Sequence, residues 1–195
     1  MSGQGDSVRG RPRRAETDER IVAATLALIR EQGPEAVNVA SVAARSGIAR
    51  TTIYRRYRDR SDLLQAALQP AVERGEPPQG ASVRDKLAWV LARTQEVLAG
   101  SIGRGGVAAV VADNDPDFSA ALRGALQSAL EPIHEQIRDD VGQGRLASYV
   151  DADLTVNLVL GAYLAELVRY GTPRPDWLDR TADLLAASLG AHAPG

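Results

Sequence analysis

Between Asn38 and Arg60 the chain reads NVASVAARSGIARTTIYRRYRDR, and few folds can accommodate that order of residues. Val39, Val42 and Ala43 give one apolar helical face behind Asn38, a side chain suited to cap a helix start. Ser46-Gly47-Ile48 then supplies a tight turn. After it Ile48, Ile53 and Tyr57 point inward, which leaves Ala49, Arg50, Thr51, Thr52, Tyr54, Arg55 and Arg56 on the outer faces of a short second helix. Small residues where two helices cross, and basic and hydroxyl side chains on the second, are what a helix-turn-helix needs to enter a DNA major groove.

The charge distribution supports a polyanionic partner at this end of the chain. The net charge of −2 conceals 12 basic against 7 acidic side chains in residues 1–60, and 11 against 18 in the remainder. A basic head on an acidic body confines the DNA-facing surface to the head. Hydrophobic residues make up 44% of the chain but aromatic ones only 4%, so the core must be built from Ala, Leu, Val and Ile. With β-branched and aromatic runs scarce, that composition favours packed helices. The absence of cysteine excludes disulfides, thiolate metal sites and cysteine nucleophiles. No apolar run reaches the roughly 18 residues of a membrane span, and no secretory signal is visible, so a soluble cytoplasmic protein is expected.

The spacing predicts an all-α chain in three parts. Residues 1–14 are expected to be a disordered basic arm. Within it Arg9-Gly10-Arg11-Pro12 matches the core of the AT-hook pattern, in which two guanidinium groups flank a glycine that can sink into a minor groove. Residues 15–73 form the expected DNA-binding domain. Its first helix runs from an N-cap at Thr17 to Gln32 on the apolar positions Ile21, Ala24, Leu28 and Ile29, and its last is capped by Ser61 and kinked or ended early by Pro70. The Pro- and Gly-rich stretch 74–81 marks a linker, and residues 82–190 form a second helical domain. In that domain residues 100–106 read as loose and Pro116 as the first position of a helix bent near Pro132. Two further helices cover residues 151–170 and 175–189.

Residues 17–68 resemble the DNA-binding domain of the TetR family of bacterial transcription regulators. The apolar first helix, Val39-Ala40-Ser41-Val42-Ala43, Gly47-Ile48, Thr52 to Tyr57 and Ser61-Asp62-Leu63-Leu64 carry the likeness. An acidic turn at Asp113–Asp117 and the step Tyr170 to Pro173 resemble one subgroup more weakly. The resemblance implies that Arg50 meets guanine and Thr51 a thymine methyl. It implies phosphate contacts for Asn38, Thr52, Tyr54, Arg56 and Arg60, with Arg55 able to do either. The family often has threonine at the Asn38 position and lysine at that of Arg60; both replacements keep the required chemistry.

The same resemblance implies a homodimer formed by the last two helices of each subunit and a body enclosing a small-molecule effector. Leu154, Leu158, Gly161, Ala162, Ala165, Leu178, Leu184, Leu185 and Leu189 are the candidate interface. Trp89, Arg93, Val110, Phe118, Leu122, Ile133, Asn157 and Tyr163 are candidate pocket residues. Asp113, Asp115 and Asp117 imitate the opening of a calcium loop, but Phe118 and Gly124 stand where its glycine and closing glutamate belong. Glu131, His134 and Glu135 lack a further ligand for a metal, and Gly103 to Gly106 lacks the lysine and hydroxyl of a phosphate loop. No catalytic residue, metal or cofactor is expected. The expected function is a ligand-responsive repressor that binds a palindromic operator in double-stranded DNA as a dimer. The alternatives are a constitutive repressor, or an enzyme or carrier tethered to nucleic acid.

Overall fold

The computed structural model describes residues 10–73, 75, 77–78 and 80–190. All regular structure among them is helical: α1 (Gly10–Gln32), α2 (Val39–Ser46), α3 (Arg50–Tyr54), α4 (Arg60–Val72), α5 (Val83–Gln95), α6 (Gly103–Ala112), α7 (Pro116–Gly142), α8 (Ala152–Tyr170) and α9 (Trp177–Ser188). A 3₁₀ turn covers Pro34–Ala36 and a π-helical turn Glu96–Ile102. No described helix is long and apolar enough to cross a membrane.

The chain divides into two compact units, and the division differs from a cut at the linker. One unit runs to Val72 and takes in Ala99–Ala125; the other is Glu73–Leu98 with Leu126 onward. The segment 99–125, expected in the second domain, therefore belongs with the DNA-binding helices.

The core of the first unit is made by Ile21, Leu28 and Ile29 of α1, Val42 of α2, Ile53 of α3, Leu63, Leu64 and Leu68 of α4, and Phe118 of α7, all nearly or wholly inaccessible. Thr25 is buried among them and satisfies its hydroxyl on the carbonyl of Ile21 at 2.9 Å. Helix α2 is capped as expected: Asn38 accepts from the Ser41 amide at 2.9 Å, and the Ser41 hydroxyl accepts from the Asn38 amide, a reciprocal capping box. Other boundaries moved. α1 starts at Gly10 and not at Thr17, so Arg11 and Pro12 lie in helical backbone and not in an extended arm; proline fits a first helical turn, where its missing N–H has no partner to lose. Arg9 lies outside the described residues. Asp59 accepts from the Asp62 amide at 2.9 Å and takes the capping place assigned to Ser61. Pro70 does not end α4, which runs to Val72 because Ala71 and Val72 are buried beyond it.

Residues 100–106 are not loose. They complete the π-helical turn and open α6, and their glycines let α6 sit directly on the end of α1. Gly103 has φ 69°, and a Cβ there would stand 3.0 Å from the carbonyl oxygen of Arg30 and 3.1 Å from its Cα. A Cβ on Gly105 would approach the Gly33 backbone to 3.3 Å. Gly103→Ala combines left-handed backbone strain with a clash against main chain. It should lower stability by about 1–3 kcal/mol, read as an earlier midpoint in urea with unchanged slope.

The second unit packs α5 against α8 and α9. Tyr163 and Trp177 are buried with ring centroids 6.0 Å apart. Arg84 of α5 reaches Asp179 at 2.7 Å and Asp183 at 2.9 Å on α9. Glu166 accepts from the Arg174 amide and guanidinium, which fixes the α8–α9 connection; Arg174 holds the Glu166 carboxyl below its usual range. Asp151 caps α8 through the Leu154 amide at 2.8 Å.

Candidate nucleic-acid interface

The turn between α2 and α3 is set by Gly47, whose φ of 69° lets it cap α2 in the left-handed region and return its amide to Ala43. Arg20 of α1 donates to the carbonyl of Ser46 at 2.6 Å and satisfies the end of α2 from outside. Ile53 anchors α3 in the core, so the rest of this short helix faces outward. Arg50, Thr51, Tyr54 and Arg55 are exposed, and Asn38 is exposed at the start of α2. Tyr54 is 61% exposed.

The arginines of the head separate into two groups. Arg45 is paired with Glu31 at 2.7 Å, Arg56 with Asp18 at 2.7 Å, and Arg58 with Asp62 at 2.8 Å. Arg60 donates from Nε to the Val37 carbonyl at 2.9 Å, from Nη2 to the Pro34 carbonyl at 2.8 Å, and from Nη1 to Asp115 Oδ1 at 3.0 Å. A second bond joins Arg60 to the other oxygen of Asp115, and Asp117 lies 3.4 Å away. By contrast, the guanidinium groups of Arg50 and Arg55 make no hydrogen bond or ion pair with any described residue. These two cations, one at the start of α3 and one just past its end, are thus uncommitted, the state in which a phosphate or a base edge gains most from them.

The placement of Arg60 departs from its expected role at a phosphate. Asp115 is only 6% exposed and also accepts from the Phe118 amide at 3.1 Å, so the pair is an internal tie between the start of α4 and the α6–α7 turn. The acidic turn at Asp113–Asp117 acts as a receptor for this arginine. Arg60 holds the Asp115 carboxyl below its ordinary value, and the carboxylate raises that of Arg60 in return. Arg56 is intermediate: its side chain is 15% exposed and bonded to Asp18, while its buried Nε has no partner.

In the second unit a small apolar cavity lies among α5, the end of α7, α8 and Leu189. Of the residues expected to line a pocket, only Ile133 does so. Trp89, Arg93, Asn157 and Tyr163 belong to the same unit but do not line it, and Val110, Phe118 and Leu122 belong to the other unit. Phe118 and Leu122 are buried core. Lys86, Gln136, Asp140 and Thr155 are among the lining residues of the cavity, but the surface they turn to it is almost wholly apolar. Lys86 and Asp140 pair across 54 residues, a contact that no local sequence pattern signals.

The candidate interface residues also divide. Leu154, Leu158, Gly161, Ala165 and Leu184 are exposed, and Ala162, Leu178 and Leu185 are half-buried. Leu189 is 8% exposed and faces the cavity of its own unit, so it is not available as a surface side chain. Val168, at 85% exposure, continues the α8 stripe and was not anticipated.

A head that presents a short cationic helix behind a tight turn, in a chain with a second helical unit, defines a helix-turn-helix DNA-binding protein. Residues 21–67 match the family model described as bacterial regulatory proteins, tetR family. It is 29% identical over 189 residues to the HTH-type transcriptional regulator AqdR of Rhodococcus erythropolis, covering 96% of this chain and 89% of that one. The fold is shared with TylP, a TetR regulator from Streptomyces fradiae, at TM-score 0.70 and 23% identity over 93% of this chain and 89% of that one. It is also shared with the transcriptional regulator FadR from Bacillus subtilis in complex with stearoyl-CoA, at TM-score 0.63 and 18% identity over 89% and 99% of the two chains.

Proposed function

We propose that this regulator is a homodimeric, ligand-responsive repressor that reads a palindromic operator through α3. The observation that carries the reading is the pair of uncommitted arginines, Arg50 and Arg55, at the two ends of a helix whose other face is locked into the core. Arg50 is assigned to a guanine and Thr51 to a thymine methyl; Asn38, Thr52, Tyr54 and Arg56 are assigned to phosphates, and Arg55 to either. Of the candidates in the head Arg60 is withdrawn from the DNA-contacting set, since its donors are taken up within the protein, and no minor-groove role is assigned to Arg11, whose backbone is helical, or to Arg9, which lies outside the described residues.

One head of this size buries too little to hold a unique site, so two copies must act together. Leu154, Leu158, Gly161, Ala165 and Val168 recur at alternating spacings of four and three along α8, the period of a helix–helix seam. Leu184 on α9 adds a further exposed apolar side chain. Burial of this face against its symmetry mate removes the exposed patch from water. Wild-type protein should sediment as a dimer at micromolar concentration, and Leu158→Glu, which sets a charge against its own copy, should sediment as a folded monomer. A wild-type monomer, or an undisturbed Leu158→Glu dimer, would remove this face from the assembly.

A small-molecule effector is supported by the cavity and by the acyl-CoA ester held in a protein of the same fold. Such a ligand lowers DNA affinity only to the extent that it prefers the arrangement that DNA does not. The constitutive alternative shares every feature of the head and differs only in leaving the cavity unused.

A further inference from the structure

Helix α3 spans only Arg50–Tyr54, no side chain caps its start, and Ile53 is its only buried residue. One anchor fixes the distance of a helix from the core but leaves its tilt open, and recognition needs the contacting groups held in a defined geometry. Helix α1 supplies the missing constraints through two side chains. Arg20 donates to the Ser46 carbonyl at 2.6 Å, and its Nη2 lies against Gly47, where a Cβ would stand 3.1 Å away. It thus holds the turn that leads into α3 and sets a cation at the last carbonyls of α2, where the helix dipole favours one. Asp18 accepts from Arg56 Nη1 at 2.7 Å, just past the other end of α3. The Arg56 side chain is 15% exposed, and Asp18 is the only described partner of its guanidinium. At about 100° of turn per residue, Asp18 and Arg20 stand on opposite sides of the buried stripe of Ile21, Thr25 and Leu28. They therefore straddle the core contact of α1 and reach the two ends of α3.

Resting on the assignment of α3 to the major groove, we infer that Asp18 and Arg20 are positioning residues. They fix the tilt of α3 from its two ends and govern sequence discrimination without touching a base. Charge alone assigns Asp18 the opposite effect. An acid on a basic head repels phosphate, so a purely electrostatic Asp18 weakens binding to every duplex. As the holder of Arg56 it strengthens the binding that depends on alignment, which is the specific one. The two ends act through different partners, a carbonyl at one and a guanidinium at the other, so each can be removed alone.

The test uses full-length protein, the sequence that wild type enriches from random double-stranded DNA, and a scrambled duplex of equal length. Asp18→Ala should lower affinity for the enriched sequence about tenfold, a share of what one well-aligned base contact contributes in each half-site. It should leave the scrambled duplex bound equally or more tightly. In an Arg56→Gln background the same substitution should cost no further discrimination, because its effect passes through Arg56. Arg20→Met should lower discrimination to a similar extent with the salt dependence unchanged. Arg20→Lys, which keeps a donor for the Ser46 carbonyl, should recover it. Thermal unfolding followed by circular dichroism shows whether each variant is folded at the assay temperature, and Arg20→Met carries the test if Asp18→Ala is not. Tighter binding of Asp18→Ala to both duplexes would reduce Asp18 to a repelling charge and overturn the inference. So would loss in equal proportion on both duplexes, or an Arg20→Met salt slope reduced by about one, the mark of a phosphate contact. An enriched sequence with discrimination unchanged in both variants would overturn the positioning roles alone. No enrichment by wild type would overturn the assignment of α3 and these roles with it.

Discussion

Replacing Arg60 with alanine should lower the stability of the protein by about 2–4 kcal/mol, one of the largest effects available from a single surface-accessible side chain. The loss comes from what remains behind. Asp115 is 6% exposed, and without the guanidinium its carboxylate retains only the Phe118 amide as a partner. The carbonyls of Pro34 and Val37 lose their donors at the same time. The side chain of Arg60 is itself 26% exposed, so water offsets part of the penalty and the estimate stays below that for a fully buried pair. Chemical denaturation reads the effect directly. A phosphate-binding role predicts a different outcome: unchanged stability and a salt dependence of DNA binding reduced by about one counterion per contact. Because Asp115 titrates below its ordinary 3.8, its contribution is fully present above that pH and fades as the pH falls through the lower folded-state value. The stability difference between wild type and Arg60→Ala should therefore narrow in acid.

Arg50→Ala should leave the fold untouched and strike recognition. Arg50 is exposed and makes no hydrogen bond or ion pair with the rest of the described chain, so its loss strands nothing. A bidentate arginine–guanine pair discriminates by about 1–3 kcal/mol, and a symmetric dimer uses it twice. Operator affinity should fall by about 30-fold to 10⁴-fold, with preference relaxed at one or two base pairs in each half-site. The unfolding midpoint should stay where it is. Equal weakening on all sequences would place Arg50 at a phosphate.

The helices and their caps were readable in the sequence where the cause is local. Asn38 caps α2 because its side chain and that of Ser41 meet across three residues, and Pro116 opens α7 because a proline tolerates the first position. The inward and outward faces of α2 and α3 followed from periodicity alone. What stayed hidden depends on partners distant in the chain. Arg60 sits among basic residues of a DNA-binding head and looks like one more phosphate ligand, until Asp115, 55 residues on, closes around it. The glycines at Gly103, Gly105 and Gly106 suggested a loose segment, whereas they remove side chains from a crossing with α1. Leu184 and Leu189 look alike in the sequence; the first is 69% exposed and the second faces a cavity. The cavity lies on α5, α7 and α8, and apolar periodicity cannot separate its wall from ordinary core.

Selection of bound sequences from random double-stranded DNA by the wild-type protein puts sequence-specific reading by paired heads to the most direct trial. The enriched sequences should share a palindrome whose half-sites are centred about one helical turn apart, roughly 34–36 Å, or a multiple of it. No enrichment over the starting pool, or an enriched motif without two-fold symmetry, would contradict it.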